Sequence, residues 1–172
     1  MSAAMMQIGV TAKMAKELKK EVQPADAVDG PRIYQWHMNF FTIQRRKCIL
    51  LMNDETGLNL TLFGLKQEQF KNMDQVIMGS LRELLRLLKV DQVIIDDFLE
   101  AGQEIVYTKT HDRSVLGMMN EIKLGMEHSL QGLSYDEIDA IEVNEENNRF
   151  ILSPLKELKP LDTLIAYYNE ND

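Results

Sequence analysis

An α+β fold is what this chain of 172 residues predicts: a small, mostly antiparallel sheet with a central hairpin, covered by several helices. Two runs rich in β-branched and aromatic residues flank a basic cluster at 45–47, and a third follows the turn sequence Asp54-Glu55-Thr56-Gly57. Beyond Leu65 the apolar residues change to helical spacing, as in Met73, Val76, Ile77, Leu81, Leu84 and Leu88. With 45% hydrophobic residues the chain can bury a core and is too apolar for intrinsic disorder, so 1–172 is expected to form one domain.

In order, residues 5–10 read as a short strand, and Thr11 as the N-cap of a helix from Ala12 to Lys20 with Met14 and Leu18 on one stripe. Gln23–Pro31 is a loop punctuated by Pro, Asp and Gly. Strands are expected over 33–43, 47–53 and 58–63. If Arg45-Arg46 makes the first turn, Cys48 faces Ile43 and His37 falls opposite Asp54. A type I turn closed by a left-handed Gly57 sets Asn53 opposite Leu58, Leu51 opposite Leu60 and Ile49 opposite Leu62. One face of that hairpin is wholly apolar and the other half apolar, which predicts cover on both sides.

Asn72 and Gln75 have capping-box spacing at the start of the long apolar stripe, with a short turn ahead of it. Asp91 caps a helix carrying Ile94, Ile95, Phe98 and Leu99 that ends at Gly102. Glu104–Lys109 reads as a strand, and a helix follows from Asp112 or Ser114 with Val115, Met119, Ile122 and Met126 at helical spacing. Ser134-Tyr135-Asp136-Glu137 is a capping box favouring a helix from about 135, whereas Ile141-Glu142-Val143 has strand character. Pro154, Pro160 and the cluster of Leu161, Leu164 and Ile165 predict an acidic segment, 134–172, that wraps on the rest and ends in a short helix.

The net charge of −8 argues against a general nucleic-acid coat. The charge is uneven: residues 1–65 carry eight Lys or Arg against six Asp or Glu, and residues 134–172 three against ten. A local basic site on the first half is compatible with that. The single cysteine rules out an intramolecular disulfide. No apolar run approaches the ~18 residues of a membrane span, and the first ten residues lack a signal-peptide pattern, so a cytoplasmic protein without a membrane partner is expected.

Among residues that could carry chemistry, a Cys48–His37 dyad is excluded by the expected pairing, which holds the two roughly 16 Å apart at strand rise. The same pairing brings His37 near Asn53 and Asp54, where a carboxylate-oriented imidazole could act as base or ligand, or where turn-forming residues merely close the sheet end. His37, His111 and His128 show no metal-ligand spacing, and no glycine-rich loop announces a nucleotide or other cofactor, so neither metal nor cofactor is expected. Arg45, Arg46 and Lys47 form either an anion clamp or a solvated turn. Lys109, Arg113 and Ser114 lie where a strand delivers the chain into a helix N-terminus, a place that favours anions. Trp36 is either core or stacking platform.

The combination Trp36-His37-x-Asn39, Thr42-Ile43-x-Arg45-Arg46-Lys47-Cys48, Asn53-Asp54, Phe63-Gly64-Leu65 and Phe70-Lys71-Asn72, continued by Thr108-Lys109-Thr110 and Arg113-Ser114-Val115-x-Gly117-x-Met119-Asn120, resembles an uncharacterised bacterial family, a domain of unknown function. The resemblance spans about residues 5 to 130 and implies no activity. It implies that the polar positions of 36–54 and 109–120 belong to one pattern, most simply because they meet in space.

Three functional readings follow. In the first, Arg45, Arg46, Lys47, Lys109 and Arg113 supply charge, Ser114 and Asn120 hydrogen bonds, and Trp36 a surface, for an anionic small molecule, single-stranded nucleic acid or acidic protein segment. In the second, the chain is an enzyme with His37 as base and Asp54 as its orienter. In the third, the acidic tail docks on the basic head, within one chain or across a homodimer. The 109–114 segment can join only one end of the β-hairpin, and the end carrying Arg45 is the one expected.

Overall fold

The computed structural model describes residues 5–27 and 29–171, with five strands in one sheet of order β4-β3-β2-β1-β5. They are β1 (Met6–Val10), β2 (Gln35–Ile43), β3 (Arg46–Asn53), β4 (Asn59–Leu62) and β5 (Ile105–Lys109). The class is α+β, and the sheet is mixed rather than mostly antiparallel: β1 pairs in parallel with β2 and β5, while β3 pairs antiparallel with β2 and β4. Only β2, β3 and β4 are joined by hairpins. The longer connections, through α1 (Ala12–Glu17) and through three helices before β5, return the chain in parallel.

The second hairpin has the expected register, with Leu51 opposite Leu60 and Ile49 opposite Leu62, and Gly57 is left-handed at φ 75°. The first differs. Its turn is Gln44-Arg45, both at positive φ (49° and 68°), as a two-residue hairpin turn that follows the strand twist requires. Arg46 therefore already pairs with Ile43, Cys48 faces Phe41 instead of Ile43, and His37 faces Met52 instead of Asp54.

Strand alternation divides the sheet's side chains between two cores. Trp36, Met38, Ile49, Leu51 and Leu60 pack with α1, α3 (Met73–Leu87), α4 (Gln92–Ala101) and α7 (Pro160–Glu170). Phe41, Cys48, Leu50 and Met52 pack with α5 (Arg113–Ser129), α6 (Ala140–Asn147) and Leu152 and Leu155. Thr11, Asp91 and Asp112 cap α1, α4 and α5, each accepting a main-chain N–H one turn in. Asn72 does not cap α3. Its side chain donates to Glu68 O in the preceding short helix α2 (Gln67–Lys71).

In the tail, the Ser134 capping box opens only a 3-10 turn, Tyr135–Glu137, and 141–143 is helical within α6 under a cap from Asp139. This helix closes the β4 edge. Thr61 N–H donates to Asn144 Oδ1 (2.7 Å) and Asn144 Nδ2 to Thr61 O (3.0 Å). Asn148 does the same at Asn59, with distances of 2.9 and 2.8 Å. Four residues of helix rise about 6 Å and two residues of strand about 6.6 Å, so amides at i and i+4 match alternate edge residues. Among the described residues, no helix is long and apolar enough to cross a membrane.

Candidate functional site

The site begins with the turn after β3. Buried Asn53 organises it: its Oδ1 accepts from Glu55 N–H, Thr56 N–H and Thr56 Oγ1, and its Nδ2 donates to Ile33 O. Asp54 N–H donates to Gln35 O (2.9 Å), which turns the Asp54 side chain under the sheet end. There it meets His37, with Nδ1 2.8 Å from Asp54 Oδ1 and both side chains fully buried.

The His37 ring reaches across β1 towards the chain leaving β5. It can do so because the residue beside it is Gly9, where a Cβ would stand 3.0 Å from His37 Cδ2 and Nε2 and 3.3 Å from Lys109 O. On the far side, the His111 main-chain N–H donates to His37 Nε2 (3.2 Å). That bond fixes the tautomer: Nε2 accepts, so Nδ1 carries the proton and donates to Asp54. The His111 ring folds over His37 at a centroid distance of 4.4 Å, and its Nε2 lies 3.9 Å from Asp54 Oδ2. Asp54 Oδ2 is buried and has no hydrogen-bond partner among the described residues. The donor atoms of His37, Asp54 and His111 all fall within 4.8 Å of one another, an arrangement able to hold a metal ion.

Arg32 frames the outer side. Its Nη1 donates to Asp112 Oδ2 (2.7 Å), its Nη2 to Asp54 O (2.7 Å), and its Nε lies 3.4 Å from Glu55. Partial burial by itself would lower the guanidinium pKa, but the hydrogen bond and charge of Asp112, with Asp54 and Glu55, leave it raised. Burial would raise Asp112, and the bond from Arg32 with two helix N–H groups holds it below the ordinary carboxylate value instead. His111 sits below the usual imidazole value, first through burial and then through His37, against the opposing pull of Asp54 and Asp112.

The residues singled out by sequence separate into groups. His37, Asp54 and the 109–114 segment come together. Asn53 supports them as a turn former, and Ser114 serves through its main-chain N–H to Asp112. Lys109, Arg113 and Asn120 are exposed. Trp36 is fully buried against Phe98, part of the core and no stacking platform. Asn39 accepts from Thr11 Oγ1 (2.6 Å) next to α1.

Arg45, Arg46 and Lys47 lie elsewhere. Lys109 is level with Met38 across β1, and the Gln44-Arg45 turn is six residues further along β2, about 20 Å away. The 109–114 segment therefore joins the His37–Asp54 end, not the end expected from sequence. Lys47 pairs with Glu17 (2.9 Å) and Arg46 stacks on Tyr135 at 4.1 Å. None of the ion pairs among the described residues joins 45–47 to an acid of the tail.

Sequence reasoning passed over Arg32 and Gly9, and weighed His111 only for metal-ligand spacing, which it lacks. His111 and Asp112 stood in the quoted 108–115 pattern as its unspecified positions. Arg32 and Gly9 carried no local signal, because each matters only through neighbours from other strands.

No curated protein matches the chain at a significant level. A family profile described as Domain of unknown function (DUF6933) matches residues 7–163, which takes in β1 from its second residue, the other four strands and every residue of the site just described. On that match, the chain belongs to the DUF6933 family of domains of unknown function.

Proposed function

We propose that the protein binds a positively charged or hydrogen-bond-donating ligand at the Asp54–His111 lip of the sheet. The observation that carries this reading is Asp54 Oδ2, buried and without a donor, facing a histidine nitrogen at 3.9 Å. A buried carboxylate oxygen without a partner is costly, by roughly 1–3 kcal/mol or more. A gap of 3.9 Å is too long for the two to satisfy each other. An unpartnered carboxylate oxygen beside a histidine ring is complemented by a donor or a cation, which turns the expected preference for an anion around. The Arg32 guanidinium, the one cation touching this site through hydrogen bonds among the described residues, is already committed to Asp112, Glu55 and the Asp54 carbonyl.

The site is read as a binding centre and not as a base centred on His37. That ring is fully buried and both its nitrogens are engaged, so no substrate proton can reach it. A one-domain organisation over 1–172 belongs to the same reading, with α6 and α7 each packed into one of the two cores. So does a cytoplasmic setting, supported by the free and buried Cys48.

The test is a titration of the histidine ring resonances by NMR with methylammonium and with a divalent cation. The expected result is a saturable shift of His111 by at least one of the two, lost in Asp54→Asn. No shift from either probe would overturn the reading.

A further inference from the structure

We infer that the ligand of this centre is a late first-row divalent cation of the Zn2+, Co2+ or Ni2+ kind, held between Asp54 Oδ2 and His111 Nε2. The inference rests on the donor-seeking reading above and narrows it to one ligand class. A carboxylate alone would serve an alkylammonium. The second group is an imidazole, which in its Nδ1–H tautomer presents Nε2 as a preferred ligand of these metals.

The geometry supports one ion touching both residues. Zinc-type bonds to imidazole nitrogen and carboxylate oxygen are about 2.0–2.2 Å, and the two donor atoms stand 3.9 Å apart. A single ion fits between them with a modest closing of the His111 ring.

His37 has a different task. Its Nδ1–H anchors Asp54 Oδ1, leaving Oδ2 as the oxygen presented, and its Nε2 accepts the His111 main-chain N–H. One buried ring thus fixes the side chain of one ligand residue and the backbone of the other. Hydrogen-bonded support behind a ligating carboxylate is what orients metal ligands generally. In this tautomer His37 cannot itself ligate through Nδ1, because Nε2 would then carry a proton pointing at another donor. Gly9 leaves the room in which the ring lies. Two protein donors leave the remaining coordination positions to water or a small ligand. The His111 imidazole, 19% exposed, is the side from which an ion enters.

The experiment uses the full chain and Co2+, with calorimetry for affinity and visible absorption for coordination. The expected result is one Co2+ per chain with ligand-field bands, an affinity at least tenfold lower in His111→Gln and in Asp54→Asn, and no change in His128→Ala, an exposed histidine in the last turn of α5. His111→Gln retains the main-chain N–H and so keeps the test decisive should Asp54→Asn fail to fold. Absence of stoichiometric Co2+ binding, or equal affinity in His111→Gln, would overturn the inference. If methylammonium still shifts His111 while Co2+ does not bind, the metal is ruled out and the binding centre stands. If neither binds, both fall.

Discussion

Gly9 and His37 face each other across the parallel β1–β2 pair so closely that the glycine cannot gain a methyl group without moving the ring. A Cβ on residue 9 would meet Cδ2 and Nε2 at 3.0 Å and the Lys109 carbonyl at 3.3 Å. The ring is held at both nitrogens, so it can yield only by lengthening the bonds to Asp54 and His111. Gly9→Ala is expected to cost about 1–3 kcal/mol, the usual penalty for overpacking a filled interior. Urea unfolding measures it; an unchanged midpoint would show that the ring is not held as described.

The Asn144 amide stands in for a strand at the β4 edge. Asn144→Ala would strip Thr61 of both its N–H and C=O partners in a buried setting, and should lower stability by about 1–3 kcal/mol. Asn144→Asp keeps the acceptor for Thr61 N–H but sets an oxygen against Thr61 O, so it should be no better than alanine. Amide hydrogen exchange at Thr61 reports the same event locally, and continued protection there in Asn144→Ala would contradict it.

All five tyrosines are pushed above their ordinary pKa, chiefly by burial, with Tyr34 and Tyr168 also donating to Asp97 and Tyr107 to Asp74. The folded state therefore holds these protons more tightly than the unfolded chain. Their contribution to stability is complete below about pH 10 and drains away as pH rises above it. Tyrosinate absorbance is expected to appear together with unfolding in alkali. Tyr168→Phe should be less stable than the parent at neutral pH, with the difference narrowing above pH ~10.

Cys48 is fully enclosed between β3 and α5, and burial raises its thiol pKa. It should resist a thiol reagent in the native protein and react completely in denaturant. Cys48→Ser, which sets a hydroxyl among apolar side chains, should cost about 1–3 kcal/mol. Rapid native labelling would mean that this core opens far more readily than its packing implies.

Much of the framework was legible before folding was considered. The Gly57 hairpin and its register followed from turn chemistry and alternation, and the Thr11 and Asp91 caps from single polar residues ahead of apolar stripes, while the α5 cap stood open between Asp112 and Ser114. The first hairpin slipped by two residues because nothing in Gln44-Arg45-Arg46 announces which pair takes the left-handed conformation; neither glycine nor asparagine marks it. Ile141-Glu142-Val143 was ambiguous because a three-residue apolar alternation fits strand or helix until Asp139 and the β4 edge decide.

The site divides in the same way. Sequence reasoning brought His37 and Asp54 to one sheet end through an expected pairing whose register was two residues off, and marked Cys48 as a core residue and the 109–114 junction as a place of interest. Those were within reach of sequence because they depend on turn residues and strand alternation within one hairpin or junction. Only the tertiary structure decided that β1 runs parallel between β2 and β5, which carries His111 to the His37 ring and leaves Arg45 and Arg46 about 20 Å off. It also decided that Gly9 clears the space and that Asp54 Oδ2 is left facing His111. Those facts depend on strand order and direction, set by which apolar faces bury together. They involve residues distant in sequence, Gly9 and His37 being 28 positions apart, Asp54 and His111 57, and His37 and His111 74, and no local pattern encodes them.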